Sequence, residues 1–358
     1  MKFPIDMNGF IGNPQAVEIL QRAIRQDRLP HAMIFAGPAG VGKCTLGLLT
    51  AQSLNCLFPS AEGACGHCPA CKRIRAIGES RYLECLSQKG GYCGACRNCK
   101  IRTARHPDIW LVEPEKTTIS IDQVRELIDE IAFQPVEARY RVVILDPADQ
   151  MRAEAHNSLL KTLEEPPSRT VIILVTTNPY LLLDTIRSRS RMLQFGEISP
   201  DCIEEYLVRA EKREPDEARL AASLSGGSLA SALSFNTEEY RDIRKQALEF
   251  AELLLRRGRF AQASRLAAEV AKEKDKEYFQ LWIASLAALL QDVYYAGVAK
   301  MRVGQRDLLA KTEELAQAVS RPRLVRIIGA VGKLTRELQF NVNRQIALEA
   351  MFLEQTSG

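Results

Sequence analysis

The sequence predicts an α/β domain with a mostly parallel sheet, followed by a region built from helices alone. Segments with helical spacing of apolar residues separate five short apolar runs, which have the length of buried strands and span residues 32–36, 109–112, 141–146, 170–175 and 192–195. Strands that alternate with helices are typical of a parallel sheet with helices on both faces. From about residue 237 to residue 353 the pattern is helical throughout.

The composition argues against several classes of protein. The chain has 358 residues, enough for two or three domains, with 46% hydrophobic and 26% charged residues. The net charge of +4 permits contact with nucleic acid but does not argue for it. The first residues lack the apolar core of a signal peptide, and the longest apolar run, 283–290, is too short to span a membrane. We therefore expect a cytoplasmic protein with no membrane partner, whose ten cysteines are metal ligands or free thiols.

A glycine-rich turn follows the first predicted strand. It fits the phosphate-binding pattern G-x-x-x-x-G-K-[S/T] up to the lysine, and in that pattern backbone N–H groups, a helix N-terminus and the lysine converge on an anion. The eighth position is a cysteine, and the hydroxyl comes one residue later. The alternative is a strand-to-helix turn with no ligand. The candidate nucleotide-binding residues are Gly37, Gly40, Val41, Gly42, Lys43, Cys44 and Thr45.

Two later strand ends supply further candidates for a nucleotide site. Asp146 ends a buried apolar strand, where an aspartate can hold Mg²⁺ through water, or can simply cap the following turn. Asn178 follows the next buried strand, and a polar side chain there could reach a γ-phosphate or an attacking water. Both side chains are therefore predicted to lie at the carboxyl edge of the sheet, beside the glycine-rich turn.

Eight cysteines form two sets with metal-ligand spacing. The last three members of each set repeat at a constant offset of 28 residues, which indicates a duplicated module; the sets are Cys56, Cys65, Cys68 and Cys71, and Cys85, Cys93, Cys96 and Cys99. Four thiolates at such spacings can surround Zn²⁺ tetrahedrally and leave no position for a substrate. The sequence predicts two structural zinc sites, with iron–sulfur ligation and free thiols as the alternatives. His67 is expected to be a bystander, and Cys202 to be a buried small apolar residue.

The sequence resembles the clamp-loader subunits of bacterial DNA polymerase III, which belong to the AAA+ class. The resemblance covers nearly the whole chain. Besides the glycine-rich turn and the first cysteine module, it rests on Phe10-Ile11-Gly12, Arg28-Leu29-Pro30-His31-Ala32, His106-Pro107-Asp108, Ile121-Asp122-Gln123-Val124-Arg125, the helix 157–167 and Ile186-Arg187-Ser188-Arg189.

The resemblance implies an architecture and a set of partners. It implies an α/β nucleotide-binding AAA+ domain with a parallel sheet over residues 1–197 and a zinc-binding insert at 56–105. A small helical lid over 198–236 and an all-α collar domain over 237–358 follow. Its partners would be the other subunits of a hetero-pentameric loader, primed DNA and, indirectly, the sliding clamp. Arg189 would act as an arginine finger in trans, on ATP held by a neighbouring subunit; its alternative is a surface salt bridge.

The departures from the family pattern indicate a subunit that does not hydrolyse ATP. Cys44 replaces the Mg²⁺-binding hydroxyl, Pro147 the water-activating acid, and Ala230 the phosphate-sensing arginine. These three groups act on one transition state. Binding of ATP or ADP stays open, because Lys43 and the loop N–H groups are retained. One alternative is an ATP-hydrolysing motor subunit of the same loader, and the other is a zinc-dependent DNA-binding module.

Overall fold

The structure is a computed structural model, which describes residue 4 and residues 6–60, 63–80, 106–114, 118–272, 276–299, 305, 308–337 and 343–356. The chain divides into two compact units, Met1–Arg213 with Gly227–Leu233, and Glu214–Gly226 with Ser234–Gly358. Each unit has an apolar core of its own. The domain boundaries at 197 and 236 stay a prediction.

Five parallel strands form the sheet of the first unit. They are β1 (Ala32–Ala36), β2 (Ile109–Val112), β3 (Arg141–Leu145), β4 (Thr170–Thr176) and β5 (Arg191–Gln194). Their order is β2-β3-β4-β1-β5, and all four neighbouring pairs are parallel. Every residue of β1, β3 and β4 is buried, which explains their continuous apolar runs. The predicted parallel sheet is confirmed.

Fifteen helices occupy the described parts of the chain. The first seven are α1 (Pro14–Arg25), α2 (Lys43–Asn55), α3 (Pro69–Ser80), α4 (Ile121–Ile131), α5 (Ala153–Glu164), α6 (Asp184–Arg189) and α7 (Pro200–Arg209). The others are α8 (Pro215–Leu224), α9 (Leu229–Ser234), α10 (Thr237–Leu255), α11 (Phe260–Lys272), α12 (Lys276–Ala296), α13 (Leu309–Ala318), α14 (Arg321–Glu337) and α15 (Arg344–Thr356).

Helices cover both faces of the sheet, as predicted. The apolar residues of α4 and α5 pack on one face, against the side chains of Ile34, Val143 and Ile172. Helix α2 packs on the opposite face, so closely that a Cβ on Gly47 would lie 3.1 Å from Ile144 Cδ1. The first turn of α2 therefore lies directly at the carboxyl edge of β1, where the glycine-rich turn ends.

The second unit is entirely helical in its described part. Trp282 of α12 is fully buried, with the ring of Phe250 packed edge-on at 5.4 Å between centroids. Leu286 and Leu290 of the same helix are also buried. The strongly apolar faces of this region are therefore core, within this one chain. No helix in the described residues is long and apolar enough to cross a membrane.

Local pattern does not determine the surroundings of two side chains in the first unit. Asn13 occupies the N-cap position of α1, before Pro14, but makes no side-chain capping bond; its side chain instead bonds the backbone N–H and C=O of Gly196 at 2.7 and 3.2 Å. Cys202 is exposed, so the prediction that it is buried is wrong. Helix α7 buries Ile203 and Leu207, which lie four residues apart on one face, and Cys202 lies off that face.

A buried ion pair fixes the loop that leads into β3. The fully buried carboxylate of Asp108 accepts hydrogen bonds from the backbone N–H groups of Val136, Glu137 and Ala138 and from Arg141 Nη2, at 2.8 to 3.0 Å. Burial alone would raise the pKa of Asp108, but these donors outweigh it and hold the pKa below the ordinary value of an aspartate.

We expect Asp108→Ala to lower the free energy of unfolding by about 3–5 kcal/mol, because the change leaves Arg141 buried without its counter-ion. Urea denaturation measures this. The matched variant Asp129→Ala, on the exposed face of α4, should change stability by about 0.5 kcal/mol or less. Because Asp108 has a lowered pKa, its contribution is present above its unfolded pKa and is lost as pH falls through its lower pKa in the folded state. Equal losses of unfolding free energy in the two variants would contradict a stabilising role for the buried pair of Asp108 and Arg141.

Candidate functional site

The glycine-rich turn joins β1 to α2 at the carboxyl edge of the sheet. Gly37, Gly40 and Gly42 have φ values of +151°, +74° and +91°, in the region that favours glycine. Val41, Cys44 and Thr45 are buried, so the cysteine that replaces the expected hydroxyl residue lies inside the fold. The strand, the turn and the helix therefore occupy the positions that the pattern predicts.

Three distant parts of the chain contact the backbone of this turn. A Cβ on Gly37 would lie 2.3 Å from the carbonyl oxygen of Phe195, and a Cβ on Gly42 2.8 Å from the ring of Phe10. A Cβ on Gly40 would lie 2.0 Å from Ser228 Oγ. The N–H of Ala230, in α9, also donates to the Gly40 carbonyl at 3.2 Å. The start of α9 is therefore packed directly on the turn.

Lys43 turns back on its own loop. Its Nζ donates hydrogen bonds to the carbonyl oxygens of Gly37 at 2.7 Å and Pro38 at 2.5 Å, and the residue is 6% exposed. Burial lowers the pKa of Lys43, and the negative charges of Asp146 and Asp149 oppose this shift. Backbone carbonyls thus satisfy the ammonium group, and two carboxylates lie near enough to stabilise its charge.

The other two predicted nucleotide-site residues have different surroundings. Asp146 directly follows β3, its N–H donates to the Val112 carbonyl at 3.0 Å, and its charge acts on Lys43. Asn178 is exposed and follows β4, but its Oδ1 accepts a hydrogen bond from Tyr180 N–H at 3.0 Å. Asn178 therefore caps the short 3-10 turn Pro179–Leu181. The structure brings Asp146 to Lys43 and places Asn178 in a local cap.

Sequence reasoning missed Asp149 and Ser228. Asp149 lies in the 3-10 turn Ala148–Gln150, and its Oδ1 is buried with no hydrogen-bond partner among the described residues. In the sequence, the only feature that could have pointed to Asp149 is its position three residues after Asp146. Ser228 contacts Gly40 from almost 190 residues away in the sequence, and no local pattern indicates such a contact.

Arg189 is the last residue of α6 and lies at the surface. Its Nη1 donates to the Thr185 carbonyl at 3.0 Å and contacts Ser188 Oγ at 3.4 Å. Its Nη2 forms an ion pair with Glu164 Oε1 at 2.7 Å, and the side chains are 37% and 48% exposed. The guanidinium thus makes three contacts within the chain while more than a third of the side chain stays exposed.

The four cysteines of the first module lie together. Cys56 directly follows α2, Cys65 lies in the segment between the two helices, Cys68 directly precedes α3, and Cys71 lies in its first turn. Their sulfur atoms all lie within 4.8 Å of one another, and Cys65 and Cys71 are 4.0 Å apart. A tetrahedral Zn²⁺ with Zn–S bonds of about 2.3 Å separates its sulfurs by about 3.8 Å, so a small contraction of this cluster gives a metal site.

The surroundings of Cys65 and Cys68 lower the pKa of these thiols and favour their charged form, whereas burial raises the pKa of Cys56 and Cys71. Backbone N–H groups of Cys65, Cys68 and Cys71 donate to the sulfurs of Cys56, Cys65 and Cys68 at 3.2 to 3.4 Å. Burial alone would raise the pKa of Cys68, but these and neighbouring donors lower it to about 6. His67 is exposed and bonds the Cys65 carbonyl. This donor set fits a thiolate-bound metal ion.

The second module, Cys85, Cys93, Cys96 and Cys99, lies outside the described residues. The duplication, and with it a second metal site, therefore stays a prediction.

Comparison with known proteins identifies the family. A sequence model described as "DNA polymerase III, delta subunit" matches residues 12–82 and 76–199. The DNA polymerase III subunit delta′ of Bacillus subtilis is 29% identical over 347 residues, which is 96% of each chain. The subunit delta′ of Pseudomonas aeruginosa is 34% identical over 229 residues, which is 63% of this chain and 62% of that protein.

The parallel sheet with a glycine-rich turn at its carboxyl edge, followed by a helical unit, is the fold class that the sequence predicts. Because the family model covers more than half of the chain, the chain belongs to the delta′ family of DNA polymerase III subunits. The resemblance stated above and the predicted fold class are confirmed.

We expect Gly40→Ala to lower the free energy of unfolding by about 1–3 kcal/mol more than Gly226→Ala does. Both glycines have φ near +60° to +75°, so both variants have backbone strain, but a Cβ on Gly226 has open space around it. The additional loss in Gly40→Ala comes from the collision with Ser228. Denaturant titration of both variants measures the difference, and equal losses would rule out the tight contact.

Proposed function

We propose that this chain is the non-motor delta′ subunit of a clamp loader, which helps to place the sliding clamp on primed DNA during replication. In this proposal Arg189 reaches the γ-phosphate of ATP bound to a neighbouring motor subunit. The observation that supports it most is the fixed, partly exposed guanidinium of Arg189 at the end of α6. An arginine supplied in trans stabilises the charge that develops during phosphoryl transfer.

The glycine-rich turn and the positions around it support the proposal that this chain does not hydrolyse ATP. Position 44 has a buried thiol in place of the hydroxyl, position 147 a proline in place of an acid, and position 230 an alanine in place of an arginine. Lys43 is bonded to loop carbonyls, and Ser228 contacts Gly40. ATP or ADP would have to displace these contacts to bind through Lys43, Asp146 and the loop N–H groups. This favours the non-motor function over the motor alternative.

Zn²⁺ is the metal that we propose for the first cysteine module. Four thiolate ligands with backbone N–H donors to their sulfurs are typical of a closed structural zinc site. Such an ion would link the end of α2 to the start of α3 and would take no part in phosphate chemistry. By sequence duplication we extend the proposal to the second module.

The further parts of the proposal follow from family membership. The assembly is a cytoplasmic hetero-pentamer of clamp-loader subunits, in which residues 1–197, 198–236 and 237–358 form the nucleotide-binding, lid and collar domains. A DNA-binding function of the cysteine insert alone is less favoured, because two zinc ions with eight thiolates would offset most of its excess of six positive charges.

We expect Arg189→Ala to slow ATP hydrolysis about 10³-fold at the one site that this arginine serves. In the reconstituted loader with primed DNA, a slow phase should then appear in single-turnover ATP hydrolysis. The matched variant Arg191→Ala removes an exposed arginine two residues away and should give wild-type kinetics.

Unchanged kinetics in Arg189→Ala would overturn the finger role. ATP turnover by the isolated wild-type chain at about 1 s⁻¹ or faster, the low end of ordinary enzyme rates, would instead support the motor alternative.

We expect about two zinc ions per purified chain, and about one fewer in Cys68→Ser. Losing a structural zinc ligand should also lower the melting temperature, because metal binding is coupled to folding. Cys202→Ser changes an exposed cysteine outside both modules and should retain the metal. Metal analysis of the three proteins tests this, and iron with sulfide, or no metal, would contradict the zinc assignment.

A further inference from the structure

Glu164, the last residue of α5, holds the guanidinium of Arg189 from outside its own helix. The Glu164 Oε1 to Arg189 Nη2 distance is 2.7 Å. Within α6 only the Thr185 carbonyl and the Ser188 hydroxyl contact the guanidinium, both through Nη1. The carboxylate therefore fixes the one terminal nitrogen that α6 leaves unconstrained.

The contacts leave donors available for a phosphate. A guanidinium has five N–H donors. Among the described residues, the contacts of Arg189 use the two hydrogens of Nη1 and one hydrogen of Nη2. One Nη2–H and the Nε–H remain, so a phosphate oxygen can be bound without release of Glu164.

The neighbouring arginine of the same helix has different partners. Arg187 pairs with Asp184 and lies over the ring of Tyr180, with 5.0 Å from Cζ to the ring centroid. Arg187 is thus tied to residues just before it in the chain, whereas Arg189 is tied to another helix. The carboxylate of Glu164 therefore selects the orientation of Arg189 alone.

We propose that Glu164 is a positioning residue for Arg189. It orients the guanidinium so that two of its N–H groups point at the γ-phosphate of ATP held by the adjoining motor subunit. This inference rests on the proposed role of Arg189 in trans. A preoriented donor loses little conformational freedom when the transition state forms, so the gain is in the rate of the chemical step.

The solvent exposure of the Glu164–Arg189 ion pair sets the expected size of its effect on the rate of ATP hydrolysis. Both side chains are more than a third exposed, and a partly screened ion pair of this kind orients its members only modestly. We expect Glu164→Gln to lower kcat for ATP hydrolysis about three- to fivefold at the site served by Arg189. KM for ATP should stay unchanged, because Glu164 does not bind the nucleotide.

The experiment compares Glu164→Gln with Glu165→Gln in the reconstituted loader with primed DNA. The two variants make the same change of charge on adjacent exposed residues, and only Glu164 pairs with Arg189. Single-turnover hydrolysis should slow in the first variant alone. The ratio of their rates should approach one as salt is raised, because salt screens the pair in the reference protein.

A double variant shows whether Glu164 acts through Arg189. In an Arg189→Ala background, Glu164→Gln should have no further effect. Equal rates for the two glutamine variants, a faster rate in Glu164→Gln, or an undiminished effect in the double variant would each overturn the positioning role. If Arg189→Ala slows hydrolysis while Glu164→Gln does not, the proposed function stands and this inference fails; if Arg189→Ala has no effect, both fail.

Discussion

The constraint on which the rest of the site depends is the absence of side chains at three positions in the turn after β1. Phe10, Phe195 and Ser228 contact the turn at places where a Cβ would collide. They come from before β1, after β5 and the start of α9, so the turn holds three distant parts of the chain at the carboxyl edge of the sheet. These glycines therefore have a packing role that needs no bound anion.

The sequence predicted the strands well because buried parallel strands are continuous apolar runs with clear ends. The five predicted strands agree with β1 to β5 within one residue at each end. Strand order could not be predicted in the same way, because pairs such as β1 with β4 join residues about 140 positions apart. The error at Cys202 has a similar origin. The local pattern suggested a buried thiol, and the orientation of α7 exposes it.

In the candidate site, too, some contacts could be predicted from local sequence and others join residues far apart in the chain. The spacing of Cys56, Cys65, Cys68 and Cys71 predicted their proximity, because two of the intervals are only three residues long and α2 and α3 supply the remaining geometry. Glu164, by contrast, meets Arg189 across 25 residues and two secondary-structure elements. The sequence motif identifies Arg189 as a candidate, but only the packing of α5 beside α6 shows that Glu164 is the carboxylate that pairs with it.

Lys43 and Arg189, two cationic side chains of the first unit, have opposite environments. This contrast accounts for a chain that combines an altered phosphate-binding turn with a fixed arginine. Lys43 is almost fully buried and bonded to loop carbonyls, so a phosphate must displace protein contacts to reach it. Arg189 is anchored but partly exposed, so a phosphate presented by another subunit can reach it without such displacement. Transition-state stabilisation requires a charge that is already oriented before the phosphate arrives. By that criterion the inward lysine is poorly placed for phosphate chemistry, and the outward arginine is the group for which we propose a role in a neighbouring subunit.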